Sequence, residues 1–297
     1  MITTVNFHLT KACNYKCRYC FARFNDINEA GLSKTDHFEL ISQLSNSGKF
    51  NKINFAGGEP TLIPHINELI IYAKLLGFET SIVTNGSKID YNWVKNIAPF
   101  LDILAISVDS IIHLTNINIG SNDLGRLLSV EKLKEISKAC CTFGVLLKIN
   151  TVVSQFNCNE KLTDFINEIL PFRWKILQVT KIIGQNDADF KNFGVSLDNF
   201  RCFCENNKYG LLNGIKVIEE DNETIKGSYL MIDCLGRFFD NTKGRHNYSN
   251  PIIKIGVEKA LNQITIDSQK FITRKGNYTT TKKLNLCTSS KSSTATP

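Results

Sequence analysis

The sequence has no apolar run of about 18 residues, the length a helix needs to cross a bilayer, so no transmembrane helix is expected. It has no long block of lysine and arginine, which argues against a basic arm for nucleic acid. The opening MITTVNFHLT lacks the basic region and sustained apolar core of a secretory signal. Glycine and proline are sparse, 18 and 6 of 297 residues, which excludes a low-complexity or disordered chain. No internal repeat stands out beyond a strand–helix alternation. Cysteine, by contrast, is abundant. Ten cysteines without a secretory signal read as free thiols with a metal site rather than a disulfide framework, and point to the reducing cytosol. At 42% hydrophobic and 21% charged, the chain can bury the core of one large domain or of a domain plus an extension. The net charge of +7 suits an anionic ligand better than a nucleic-acid partner.

Short strand-like runs at about 4–9, 51–56, 79–84, 101–107, 145–150 and 173–178 alternate with helical patterns near 35–47, 64–77, 91–98, 129–142 and 159–169. Six such strand-then-helix units predict a parallel α/β sheet, as a doubly wound layer or a full or partial barrel. The pattern changes after residue 185. Residues 186–287 read as a C-terminal extension over the active site, with a helix at 196–206 and another near 252–263. Within it, GSYLMIDCLGRFF reads as two short strands around a Cys-Leu-Gly turn. The Ser/Thr-rich tail, 288–297, is expected to be disordered.

Side chains alternate along a strand, so faces can be assigned. Asn6, His8 and Thr10 share a face opposite Phe7 and Leu9; Lys52 and Asn54 lie opposite Ile53 and Phe55. Lys148 and Asn150 fall together, and Arg173 and Lys175 oppose Trp174 and Ile176. In a β/α barrel the apolar set faces the helices and the polar set faces inward. Three inward lysines are unfavourable unless something anionic meets them. These strands offer almost no carboxylates on the same faces, so a bound polyphosphate is the expected counter-charge.

The first strand ends in KACNYKCRYCFA, where Cys13, Cys17 and Cys20 form a C-x3-C-x2-C run. Strand ends of this polarity are where barrel enzymes carry catalysis. Three thiolates can hold three irons of a [4Fe–4S] cluster and leave the fourth for a non-protein ligand. The alternative is a zinc site completed by His8.

The same loop resembles the cluster loop of radical S-adenosylmethionine (SAM) enzymes, and further landmarks agree. GGEP, Gly57–Pro60, follows the second strand, VTNGS the third, and LAISVDS spans the fourth. Together with KINFAGGEP, KINTVV, RWKILQ, SYLMID and TKGR, these segments resemble the viperin family from residue 5 to about 284. That resemblance implies a partial (β/α)6 TIM-like barrel with a C-terminal extension. It also implies a lyase, a SAM-dependent nucleotide dehydratase carrying a [4Fe–4S] cluster on Cys13, Cys17 and Cys20. By resemblance, SAM meets Tyr19, Gly57, Gly58, Glu59, Asn85 and Ser107. The triphosphate and sugar meet Asn6, Lys52, Asn54, Lys148, Asn150, Lys175, Arg245 and Arg274, and Tyr229 assists the radical step. A 5′-deoxyadenosyl radical would take the 4′ hydrogen of a nucleoside triphosphate, CTP foremost with UTP or GTP as alternatives. Loss of the 3′ hydroxyl as water and a one-electron reduction would leave a 3′-deoxy-3′,4′-didehydro nucleotide, a chain terminator in antiviral defence. An electron donor is the implied partner, with no membrane or nucleic-acid partner. The amphipathic helix of animal relatives has no counterpart here, so a soluble, cytoplasmic monomer is expected.

Departures from the family pattern are visible. Ala56 stands where the family has serine; an arginine expected near Ser121 is absent, with Arg126 as its substitute; His246 occupies a position where lysine is common. Two other functions remain in view: a radical SAM enzyme for a different anionic substrate, and a cluster-bearing interaction protein. Cys202 and Cys204, two apart on a helix, and the Cys140–Cys141 pair read as structural thiols. His37, His65 and His113 read as surface or helix-end residues.

Overall fold

The computed structural model describes residues 2–276; the expected tail at 288–297 and Cys287 lie outside the described residues. In chain order the elements are β1 (Thr4–His8), α1 (Lys34–Asn46), β2 (Lys52–Ala56), α2 (Ile66–Leu75), β3 (Glu79–Thr84), α3 (Tyr91–Ile97) and β4 (Ile103–Ser107). They continue as α4 (His113–Ile119), α5 (Val130–Phe143), β5 (Leu146–Val153), α6 (Thr163–Ile169), β6 (Arg173–Gln178), α7 (Leu197–Lys208) and β7 (Lys216–Glu220). The chain ends with α8 (Asn222–Ile225), β8 (Met231–Ile232), β9 (Arg237–Asp240), β10 (Asn247–Pro251), α9 (Ile252–Ile255), α10 (Val257–Leu261) and α11 (Ser268–Thr273).

All strands join one sheet in the order β10-β9-β8-β1-β2-β3-β4-β5-β6-β7. From β1 to β7 every neighbour pair is parallel, which gives the open α/β sheet of a partial barrel. Helices cover its outer face. Val5, Phe7, Ile53, Phe55, Ile82, Leu104, Ile106, Ile149, Trp174 and Ile176 all join the main buried core on that side. Burying a large aliphatic or aromatic side chain stabilises by about 1.5–3 kcal/mol, so this seam dominates the hydrophobic stability. Helix starts are chemically marked: Ser33 and Asp36 form a capping box on α1, and Ser129 and Ser196 cap α5 and α7.

The six strand–helix units stand, but the sheet is larger than read. Residues after 185 add β7 at one edge and β8, β9 and β10 at the other. β7 escaped notice because KVIEE is short and ends in charge. The helix expected at 252–263 is two pieces, α9 and α10, separated at Gly256, whose φ of +83° breaks the helical path. His37 is a correction: it is buried, edge-on to Phe7, with its Nδ1 3.0 Å from His65 Nε2. On α7, Cys204 is buried and Cys202 exposed, as expected of residues two apart.

Candidate active site

The cysteine loop leaves the C-terminal end of β1 and is clamped by its neighbours. Gly58 N–H donates to Thr10 O at 2.6 Å and Glu59 N–H to Ala12 O at 2.8 Å. On the other side, Lys16 and Arg18 N–H groups donate to Gly120 and Ile119 carbonyls at 3.0 and 2.9 Å. Contact with GGEP is so close that a Cβ on Gly58 would lie 2.2 Å from Ala12 O. Glycine is required there because two backbones touch.

Burial pushes the Cys13 thiol up to about 11 and raises Cys17 and Cys20 as well; each also feels another of the three as a nearby charge, except Cys20, where Arg23 opposes the rise. Metal binding must therefore displace protons from these thiols. Among the described residues no three His, Cys, Asp or Glu side chains converge on a single-ion point. His8 lies in an aromatic cage of Phe21, Phe24 and Phe239. With His8 enclosed by rings, the loop offers three thiols, the protein ligands for three irons of a [4Fe–4S] cluster.

Glu59 is fully buried. Its Oε1 accepts from Thr61 N, Thr61 Oγ1 and Thr84 Oγ1 at 3.0, 2.6 and 2.7 Å, and its Oε2 from Asn85 N at 2.7 Å. The carboxylate thus ties GGEP to the loop after β3. Asn85 in turn donates to Asn14 Oδ1 at 2.9 Å, within the cysteine loop. Ser107 is exposed at the end of β4, beside Asn150 in register.

Below this rim the strand register stacks the inward side chains in layers. His8 pairs with Ala56; two residues deeper, Asn6 pairs with Asn54 and then Ser81; deeper again, Thr4 pairs with Lys52 and Glu79. Each step of two residues is ~6.6 Å along a strand. Across the barrel, Lys148 pairs with Arg173 and Asn150 with Lys175. Asn6, Lys52, Asn54, Lys148, Lys175, Tyr229 and Arg274 line one cavity, with Arg173 and Phe271. Asn54 Nδ2 donates to Asn6 Oδ1 at 2.8 Å, and Asn6 Nδ2 to Leu230 O at 3.1 Å.

The expectation that few carboxylates meet these cations is corrected. Glu79 pairs with Lys52 at 2.5 Å, and Glu220, from the unforeseen β7, pairs with Lys175 at 2.7 Å and Arg274 at 3.2 Å. Burial pulls Lys175 down to about 8, although Glu220 opposes the shift. Burial pushes Glu220 the other way, yet Lys175 and Arg274 outweigh it and hold its carboxyl at about 2. Lys175 titrates low chiefly because it is buried, with Arg274 and Arg173 adding to the shift, and Glu220 titrates low because two cations face it. Among the described residues no carboxylate pairs with Lys148. Burial, then the Lys175 and Arg173 charges, hold its ammonium well below the usual range. The Asn54 Oδ1, Asn150 Oδ1 and Arg274 Nε atoms are buried without a hydrogen-bond partner among the described residues. A cavity with a surplus of cations and unmatched amide groups is chemically suited to a polar polyanion.

Other expected residues lie elsewhere. The Tyr19 hydroxyl donates to buried Asp109, and its ring packs on Phe193. Arg245 is exposed on a loop whose Gly244 carbonyl accepts from Ile183 N at 2.8 Å. The Arg126 side chain, 77% exposed, pairs with Asp123. His246 lies against Phe239 and Tyr248. Glu79 and Glu220 are the polar residues that sequence reasoning missed; the period-two spacing of Lys216, Ile218 and Glu220 was the signal available.

A family model described as the radical SAM superfamily matches residues 7–153. A protein of Lacinutrix mariniflava named S-adenosylmethionine-dependent nucleotide dehydratase is 40% identical over 283 residues, 93% of this chain and 58% of its own length. A protein of the same name from Flammeovirga pacifica is 38% identical, covering 94% of this chain and 96% of its own. The chain therefore spans little more than half of the first relative and nearly all of the second. Among solved structures, anSMEcpe with bound AdoMet superposes with a TM-score of 0.68 at 15% identity, over 91% of this chain and 81% of that one, a likeness of fold.

Proposed function

This chain belongs to the S-adenosylmethionine-dependent nucleotide dehydratase family of the radical SAM superfamily, and on that premise we propose that it removes water from a ribonucleoside triphosphate, CTP foremost. The observation that carries the substrate class is Lys148. It is an inward, half-buried ammonium with no carboxylate partner among the described residues, beside unmatched Asn54 and Asn150 oxygens. A triphosphate supplies the missing charge, and a ribose supplies hydroxyls for the amides.

Cys13, Cys17 and Cys20 would hold three irons of a [4Fe–4S] cluster. Bound together, cluster and SAM supply one-electron chemistry that yields a carbon-centred radical. The rest falls to the chain's own side chains. Gly57, Gly58, Asn85 and Ser107 form the SAM cradle, with Tyr19 inside the cysteine loop. Glu59 acts through the backbone it ties down, since its oxygens are already engaged. Lys148 and Lys175, with Lys52 and Arg274, line the same cavity and hold the phosphates. Asn6 and Asn54, one layer nearer the cysteine loop than Lys52, hold the ribose, with Asn150 level with Lys175, and so point its carbon atoms at the radical source. Over the reaction the sugar loses a hydrogen atom from C4′ and hydroxide from C3′. The hydroxide takes one proton and leaves as water, and one electron returns to the sugar. Tyr229, beside the Asn6 layer, is placed to return it. The product lacks a 3′ hydroxyl, so a polymerase that incorporates it cannot extend the chain; this supports an antiviral role.

The test is anaerobic incubation with reductant, SAM and each of the four ribonucleoside triphosphates, with products separated by mass. The expected result is a nucleotide lighter by one water, formed with 5′-deoxyadenosine, from CTP above the others. SAM cleavage without dehydration of any of the four would overturn the reading.

A further inference from the structure

Glu220 stands out as a buried charged group with no part yet in the mechanism. It ends β7, and its side chain is 0% exposed. Its Oε1 meets Lys175 Nζ at 2.7 Å and Arg274 Nη1 at 3.2 Å, while its Oε2 accepts the Tyr229 hydroxyl. Lys175 Nζ donates to the same Tyr229 oxygen. The Arg274 guanidinium lies 3.7 Å from the centre of the Tyr229 ring and donates from Nη2 to Ser228 O at 2.9 Å.

These contacts leave the phenol one orientation. An ammonium only donates and a carboxylate only accepts, so the single hydroxyl proton of Tyr229 must lie on the Glu220 bond. The stacked guanidinium holds the ring from its face. We infer that Glu220 is a positioning residue for the dehydration: its carboxylate locks Tyr229, Lys175 and Arg274 into one preformed constellation between the phosphate end of the cavity and the sugar. The inference rests on the nucleotide reading of this cavity and adds a residue to it.

A mere structural ion pair would stabilise the fold and nothing else. A positioning residue makes two further demands. Tyr229 should act on the sugar only when Glu220 holds it, so loss of Glu220 should uncouple SAM cleavage from dehydration. Lys175 should depend on Glu220 for its proton, because the other charged groups facing it are Lys148, Arg173 and Arg274, all cationic, with the Tyr229 phenol and the Lys52–Glu79 pair beyond. Removing the one adjacent carboxylate should lower the pH at which nucleotide affinity declines.

The experiment compares wild type, Glu220→Gln, Glu220→Asp, Tyr229→Phe and the Glu220→Gln/Tyr229→Phe double variant. Readouts are CTP affinity from pH 6.5 to 9.5 and the ratio of dehydrated CTP to 5′-deoxyadenosine. Folding is checked by circular dichroism. Glu220→Gln, which keeps the size and an acceptor, should move the decline of CTP affinity down by about one pH unit or more. Its product ratio should fall about tenfold, as in Tyr229→Phe, and the double variant should be no worse. Glu220→Asp keeps the charge with a shorter reach, so it should restore the pH profile but not the coupling. A Glu220→Gln or Glu220→Asp protein with the wild-type ratio overturns the inference, as does a double variant that simply multiplies the two losses. Failure of the wild type itself to bind CTP overturns the nucleotide reading, and this inference with it.

Discussion

Replacing Lys148 with methionine should make the free protein more stable and the nucleotide complex weaker. In the free protein this ammonium stands among Lys175 and Arg173 with no carboxylate partner among the described residues, and burial and those charges hold it well below its usual 10.5. Methionine removes the repulsion and keeps the stem. Allowing for solvent at a partly buried site, the gain is on the order of 1 kcal/mol, a rise of about 2–4 °C in Tm for a chain of this size. Losing one charge-assisted contact to phosphate weakens binding by about 1.5–3 kcal/mol, roughly ten- to a hundredfold in Kd. SAM affinity should barely change, because Lys148 lines the cationic cavity and takes no part in the GGEP turn. The pH dependence has a definite sign. A folded pKa below the unfolded one means that the unfolded chain binds more protons in between, so wild-type stability rises with pH through that window. The Lys148→Met protein should show a shallower rise, and what remains should come from Lys175. Calorimetric unfolding at pH 7 to 10, with nucleotide and SAM titrations on the same samples, measures all three quantities. Wild-type nucleotide affinity in the variant refutes the polyphosphate site; a fall in Tm refutes the strain assigned to Lys148.

Three further outcomes follow from the same geometry. Cys17→Ala should retain little iron after anaerobic reconstitution, since two irons would then lack protein ligands; zinc without iron in the wild type would remove the cluster from the account. Gly58→Ala should displace the cysteine loop, because the new methyl meets Ala12 O at 2.2 Å, and a folded variant with unchanged SAM affinity would refute the contact. Nucleotide affinity of the wild type should fall about tenfold between pH 7 and 9, as Lys175, at about 8, passes from nine-tenths to one-tenth charged, while Lys175→Arg should flatten that profile.

Much of the site was legible because it is carried by local pattern. The spacing of Cys13, Cys17 and Cys20 is a property of one loop, and GGEP of one turn. The alternation of Lys148 with Ile149 and of Lys175 with Trp174 divides inside from outside on any strand whose helices lie on one face. Those features follow from chain order and side-chain chemistry, and they were enough to expect a parallel α/β sheet, a thiol-rich loop at a strand end and a cationic inner face; the family resemblance added the partial barrel and the cluster. What chain order cannot express is which distant groups share a cavity. Glu220 and Lys175 are 45 positions apart in sequence and meet only because β7 pairs in parallel with β6. Arg274 reaches the same carboxylate from the far end of the chain. His37 does lie in the first turn of α1, but only the packing of that helix buried its ring against Phe7. The sequence alone determined where the cations would point; only the assembled sheet decided which of them would find a carboxylate, because ion pairing depends on separation in space and not along the chain.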